Sequence, residues 1–171
     1  MLVDPKVEEP MRAMIGHVIR QEFDDLENEI RKIGNDIYLS AMMLCVRVAG
    51  YIAVDVAGRW PIDADVREIA RYTAESARGF ELNQDDVHEF LGRVVLGGER
   101  LPDVIPSAEA GVLLPLQVAS TPLLAFRPED KHWWEYLDVI ENALDAAEQA
   151  DLSLLPALVL RSQRINAASG R

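Results

Sequence analysis

Residues 37–57 read Ile37-Tyr-Leu-Ser-Ala-Met-Met-Leu-Cys-Val-Arg-Val-Ala-Gly-Tyr-Ile-Ala-Val-Asp-Val-Ala57. Apolar side chains fall at Ile37, Leu39, Met42, Leu44, Val48, Ile52 and Val56, among others, so no face of a helix here would be polar. A helix that is apolar all round must be surrounded. The segment is therefore expected as the central helix of a bundle or as a subunit interface, ended by Gly58-Arg-Trp-Pro61. Two charges interrupt it. Arg47 and Asp55 lie eight residues apart, on about the same side but two turns away from each other. Each needs its own partner if buried. An acid of the preceding helix would serve Arg47, and Arg59 would serve Asp55. Otherwise both lie near the helix surface, or they are polar anchors of a ligand pocket. A central Arg costs roughly 2.5–3.5 kcal/mol on membrane-insertion scales, which argues against a span.

Upstream, Ile15, Ile19, Phe23, Leu26, Ile30 and Ile33 recur at steps of three and four, which predicts one helix over residues 10–34. Such a rod would be about 36 Å long, long for a domain of this size, and so suggests an elongated bundle or an inter-subunit helix. Downstream, Asp63–Ala77 carries the stripe Val66, Ile69, Ala70, Thr73 and Ala77, and Gly79 suits the position after its end. Asn83 is an expected N-cap for a helix carrying Val87, Phe90, Leu91, Val94 and Val95, which stops at Gly97-Gly98. Residues 99–106 read as a loop. Ser107 starts a further helix, disturbed by Pro115 and kinked or ended at Pro122. Ala110–Phe126 carries no charge, but its two prolines and length of about 17 residues place it at the bottom of the membrane-spanning range. Pro128, followed by Glu129 and Asp130, predicts a helix start, with Trp133, Leu137, Ile140, Leu144 and Ala147 as its seam. Leu152–Arg164 is a last short helix, with a mobile tail over residues 165–171. No segment alternates with the period of a strand. The fold expected is all-α: one domain over residues 1–171, a bundle of six or seven helices.

Charge narrows the function. The 171 residues carry 17 Lys+Arg against 29 Asp+Glu, net −12, which disfavours a nucleic-acid binder. A helix-turn-helix reading of residues 65–96 fails for the same reason. Its recognition helix would begin with Asp85, Asp86 and Glu89, which repel phosphate. The acid is concentrated in residues 127–151, with eight acidic residues to two basic, whereas residues 152–171 hold three Arg and no acid. Arg161, Arg164 and Arg171 could fold back on that acidic helix, in the same chain or in a second copy. The N-terminus has acid where a signal peptide needs base, so a cytoplasmic location is expected. One Cys, Cys45, allows no internal disulfide and reads as a core residue.

Chemistry is sparse. There is no Gly-x-Ser-x-Gly, no Cys/His arrangement and no phosphate-cradling Gly-rich loop. Glu129-x-x-His132 is half of the element that carboxylate-bridged metal bundles use twice, with Asp85-x-x-His88 as a looser echo, so Glu129 and His132 are weak metal candidates. His17 has no evident partner. No cofactor is implied. The aromatic run His132-Trp133-Trp134-Glu135-Tyr136 cannot send both Trp side chains into one core, since neighbours on a helix point about 100° apart. Trp134 and Tyr136 must then face another helix, a subunit, a ligand or solvent.

The first expectation is a non-enzymatic interaction or regulatory protein. It would self-associate as a homodimer through Phe23, Ile30, Trp134 and Tyr136, with a protein partner as a further option and neither nucleic acid nor membrane bound. The alternative is a helical domain that binds a small apolar ligand near residues 110–126, with Arg47, Asp55, Trp60, Trp133 and Trp134 as pocket candidates. A metal-dependent bundle enzyme ranks third.

Overall fold

In the computed structural model, the first helix stops well short of residue 34. Helix α1 spans Pro5–Arg20, opened by Asp4, whose carboxylate accepts the Lys6 N–H at 3.0 Å. It ends because Gln21 takes the left-handed conformation, φ 60° and ψ 34°. The Gln21 N–H then donates to the Val18 carbonyl at 3.1 Å and the Glu22 N–H to the His17 carbonyl at 2.9 Å. This pairing closes a helix C-terminus and turns the chain. Helix α2 follows as Phe23–Lys32. The expected single rod is thus two helices joined at a turn. The hydrophobic period runs unbroken through Gln21 because both helices face the same core, and periodicity does not report a reversal between them.

The structure describes residues 4–77, 82–97 and 114–149. Among them are seven α-helices and no strand: α1, α2, α3 (Asn35–Ala57), α4 (Asp63–Ser76), α5 (Gln84–Leu91, continued by a π turn over Gly92–Leu96), α6 (Leu114–Ala125) and α7 (Trp133–Gln149). The chain is an all-α bundle. The expected helix start at Ser107, the helix over Leu152–Arg164, the tail, the three C-terminal Arg, Gly79 and Gly98 lie outside the described residues.

Helix α3 is central, packed against α1, α4, α6 and α7. It ends at Gly58, whose φ of 65° any other residue would adopt only under strain. By length and composition it could cross a membrane, but 61% of its most apolar window is buried inside the bundle. Helix α6 shares the centre. Its residues from Leu114 to Ala119 are all buried, and it touches α1, α3, α4 and α7. Pro115 sits in its first turn, where the missing N–H costs nothing. Pro122 neither ends nor breaks it, since the helix continues to Ala125.

The stripe expected for α4 is buried from Val66 to Thr73, with Ala77 half-buried just past the helix end; the apolar face of α5 is buried as read, and the Asn83 side chain caps α5 by accepting the Asp85 N–H at 2.8 Å. Helix α7 starts later than expected. Pro128–Lys131 forms a turn closed by Lys131 N–H to the Pro128 carbonyl, 3.0 Å. The first helical residue is Trp133, and Glu135 reaches back to accept the His132 N–H at 2.7 Å. That carboxylate supplies the acceptor the first turn needs. Leu137, Ile140, Leu144 and Ala147 are buried along the expected seam.

Candidate functional site

The two charges of α3 find partners on α7, which runs antiparallel to it. Tyr136 Oη donates to Asp55 Oδ2 at 2.6 Å, and Arg47 Nη2 lies 3.7 Å from Glu148. Neither expected pairing forms: Arg59 instead grips Asp65 at 2.6 Å, and the Arg47 partner is on the last helix, not the first. Asp55 is exposed at the bundle surface and Arg47 is partly exposed. Tyr136 is 2% exposed, so the ring expected at an interface is used inside the chain. Burial, and then the adjacent Asp55 charge, push its phenol above the ordinary tyrosine range.

Of the remaining interface candidates, Ile30 packs partly buried on the core, whereas Phe23 and Trp134 are exposed. Trp134 stacks on the His132 ring at 4.2 Å and meets Trp133 edge-on at 5.6 Å. Trp60 and Trp133 pack partly buried against the core. His132 and Glu129 precede α7, so they do not share a helix face as the metal reading requires.

His17 does have a partner. Its Nδ1 lies 2.9 Å from Glu22 Oε2, and Asp25 completes a group whose ligand atoms lie within 4.8 Å of one another. Arg20 Nε donates to the same Glu22 oxygen at 2.8 Å, and the His17 and Arg20 bonds hold that carboxyl below its usual range. The guanidinium is itself the cation of this cluster, which leaves the carboxylate little capacity for a metal. His88 Nε2 similarly meets Asp63 at 2.8 Å and ties α5 to α4. Asp85, Asp86 and Glu89 are exposed on α5, as the argument against DNA binding expects.

A cleft of about 460 Å³ opens where α1 stops. One wall is Val18, Ile19 and Gln21 at the end of α1, and a second is Tyr72, Glu75, Ser76 and Ala77 at the end of α4. The third is α6, through Gln117, Ser120, Thr121, Leu124 and Ala125. Small side chains on α4 and α6 leave the space. None of Arg47, Asp55, Trp60, Trp133 and Trp134 lines it, but the cleft does take in part of the uncharged 110–126 stretch.

The polar groups of the cleft differ in how far they are satisfied. Ser120 Oγ donates to the Leu116 carbonyl at 2.6 Å. Both Glu75 oxygens accept from Arg71, at 2.8 and 2.7 Å. Gln117 is 6% exposed, and its amide has no hydrogen-bond partner among the described residues. The buried side-chain atoms without a partner among the described residues are Arg47 Nε and Glu141 Oε1, so the Gln117 amide is open to the solvent of the cleft. Sequence reasoning missed this residue. The signal was present: Gln117 interrupts an uncharged apolar segment just as Arg47 and Asp55 interrupt α3. No family model, curated protein or solved structure matches the chain.

Proposed function

We propose that the chain is a binding domain for a small organic molecule, held in the cleft between α1, α4 and α6. The carrying observation is the cleft itself, about 460 Å³ between three helices, with the Gln117 amide of α6 in its wall and making no hydrogen bond to another described residue. The volume falls in the range of about 300–1,000 Å³ typical of ligand pockets, and the described lining mixes polar side chains with Val18, Ile19 and Leu124. Native mass spectrometry of untagged protein, beside a denatured control, tests this directly. An adduct that is released on denaturation and absent from Gln117→Leu protein supports it. A bare protein mass, together with no response of the cleft residues to added small molecules, counts against it.

Self-association is the second reading. The supports expected for it have partly been taken up within the chain: the first rod is broken, most of α3 is packed against other helices, and Tyr136 is buried. What favours it is the pair Leu39 and Met43, one turn apart on α3 and exposed at 48% and 41%, together with Trp134. A dimer mass in the same spectrum, lost in Met43→Glu protein, would favour that reading.

A further inference from the structure

We infer that the molecule held in the cleft is an organic cation: a protonated or quaternary amine carried on an apolar ring or chain. This rests on the cleft reading above and deepens it. The charge of the walls leads to it. No Lys, Arg or His is among the described lining residues, whereas Glu75 is. Both Glu75 oxygens accept from Arg71, at 2.8 and 2.7 Å, but the same guanidinium also donates to Glu68 from Nε at 3.1 Å. Arg71 holds the Glu68 carboxyl below its usual range, so one cation is divided between two acids and the trio stays negative. The cations at the neighbouring helix ends are engaged elsewhere. Arg20 bonds Glu22 at 2.8 Å, and Arg127 donates to the carbonyls of Leu124 and Lys131. Residues 78–81 and 98–113, outside the described ones, hold two Arg against four acids and so add no net positive charge.

The backbone points the same way. Two of the three walls are helix C-termini: the end of α1 and the last turns of α4. A helix C-terminus carries about half a negative charge on its last carbonyls, which favours a cation there. At the end of α1 that cation is Arg20, and Arg127 plays the part beyond α6. The last turn of α4 holds no base. Glu75 stands in that turn, where an acid adds to the negative end of the helix instead of offsetting it. An ammonium in the cleft would meet both the carboxylate and the helix end. Tyr72 precedes Glu75 by three residues, so ring and carboxylate are neighbours on one helix face. The ring is exposed and tilted against Phe126 at 5.1 Å. An aromatic face attracts a cation held within about 6 Å of its centre. Val18, Ile19 and Leu124 then form the apolar walls for the body of the molecule.

Three probes on one ring separate the outcomes: benzylamine, charged at neutral pH, beside benzyl alcohol and benzoate. They would be titrated into the full chain and followed by ¹⁵N–¹H chemical shifts. Benzylamine should move the amide signals of Tyr72, Glu75 and Ser76 and bind about 10-fold more tightly than benzyl alcohol, with benzoate the weakest. Added salt should erode that preference, since exposed charges are screened. Glu75→Gln, at an exposed position and so little able to disturb folding, should weaken benzylamine about 10-fold and leave benzyl alcohol unchanged. Glu68→Gln, outside the lining, should weaken benzylamine about 3-fold, because Arg71 then neutralises Glu75 alone. If benzyl alcohol or benzoate binds the cleft as tightly as benzylamine, or if Glu75→Gln leaves benzylamine binding unchanged, the cation assignment is overturned and the cleft reading stands. If none of the three shifts a cleft residue in a protein whose spectrum is otherwise dispersed, both fall.

Discussion

Helices α3 and α6 are both enclosed by the bundle, yet they treat their polar residues differently. In α3, Arg47 and Asp55 reach the edge of the helix and meet Glu148 and Tyr136 of α7. In α6, Gln117 faces a cleft where no other described helix supplies a partner. A buried polar group needs a partner in both cases. In α3 the need is met only in part, since Arg47 Nε is buried without a partner; in α6 the Gln117 amide is open to the solvent of the cleft. The two helices thus differ in where their polar residues are met, on a facing helix or at an open cleft.

The largest expected effect tests the contact of α7 with α1, where Glu141 keeps Oε1 buried and without a partner. Arg12 of α1 donates to Glu8 at 2.9 Å, to Asp138 at 2.6 Å and to Glu141, clasping α1 to α7. Glu141 is 6% exposed, and burial, opposed by Arg12, pushes its carboxyl from 4.5 up to about 7. The folded state therefore keeps the proton that the unfolded chain releases above about pH 4.5. Stability from this group is complete below that pH and falls as pH rises to about 7. Arg12→Met should cost about 2–3 kcal/mol at pH 8, where the carboxylate would be charged and unpaired, and clearly less at pH 5. Urea unfolding at the two pH values measures it. An equal loss at both would show that the clasp acts through packing alone.

A smaller substitution isolates the contact between α3 and α7. Tyr136→Phe removes the donor to Asp55 and should destabilise by about 1 kcal/mol in chemical denaturation. No loss would show that the hydrogen bond adds nothing to the burial of the ring.

Much of the fold was legible because helix periodicity and burial go together. The α3 segment, the α4 stripe and the α5 cap were all readable from spacing and residue type. The start of α7 was not. Pro128 with Glu129 and Asp130 has the residue types of a first turn, but the same types form an isolated turn, and only Glu135 bonding back to His132 marks the true start. The site was less legible still. Its walls come from α1, α4 and α6, and one chain segment read alone does not reveal which helices leave a gap between them. Attention went to Arg47 and Asp55 because charges stand out in an apolar run, whereas a neutral amide does not, though the same question of partners applies to it.

The smallest effect concerns the turn that opens the cleft. Gln21 is the one non-glycine residue with positive φ among the described residues, at the position where helices commonly carry glycine. An L-residue held there loses roughly 1–2 kcal/mol, of which glycine recovers a part. Gln21→Gly should therefore stabilise the ligand-free protein by up to about 1 kcal/mol in thermal or urea unfolding. The retention of a strained Gln at this position has a ready reason in the cleft, whose wall its side chain helps to form. If so, Gln21→Gly should gain stability while weakening any small-molecule adduct seen by native mass spectrometry. A gain in stability with binding unchanged would assign the turn to fold geometry alone, and would leave Gln117 and Thr121 as the polar half of the site.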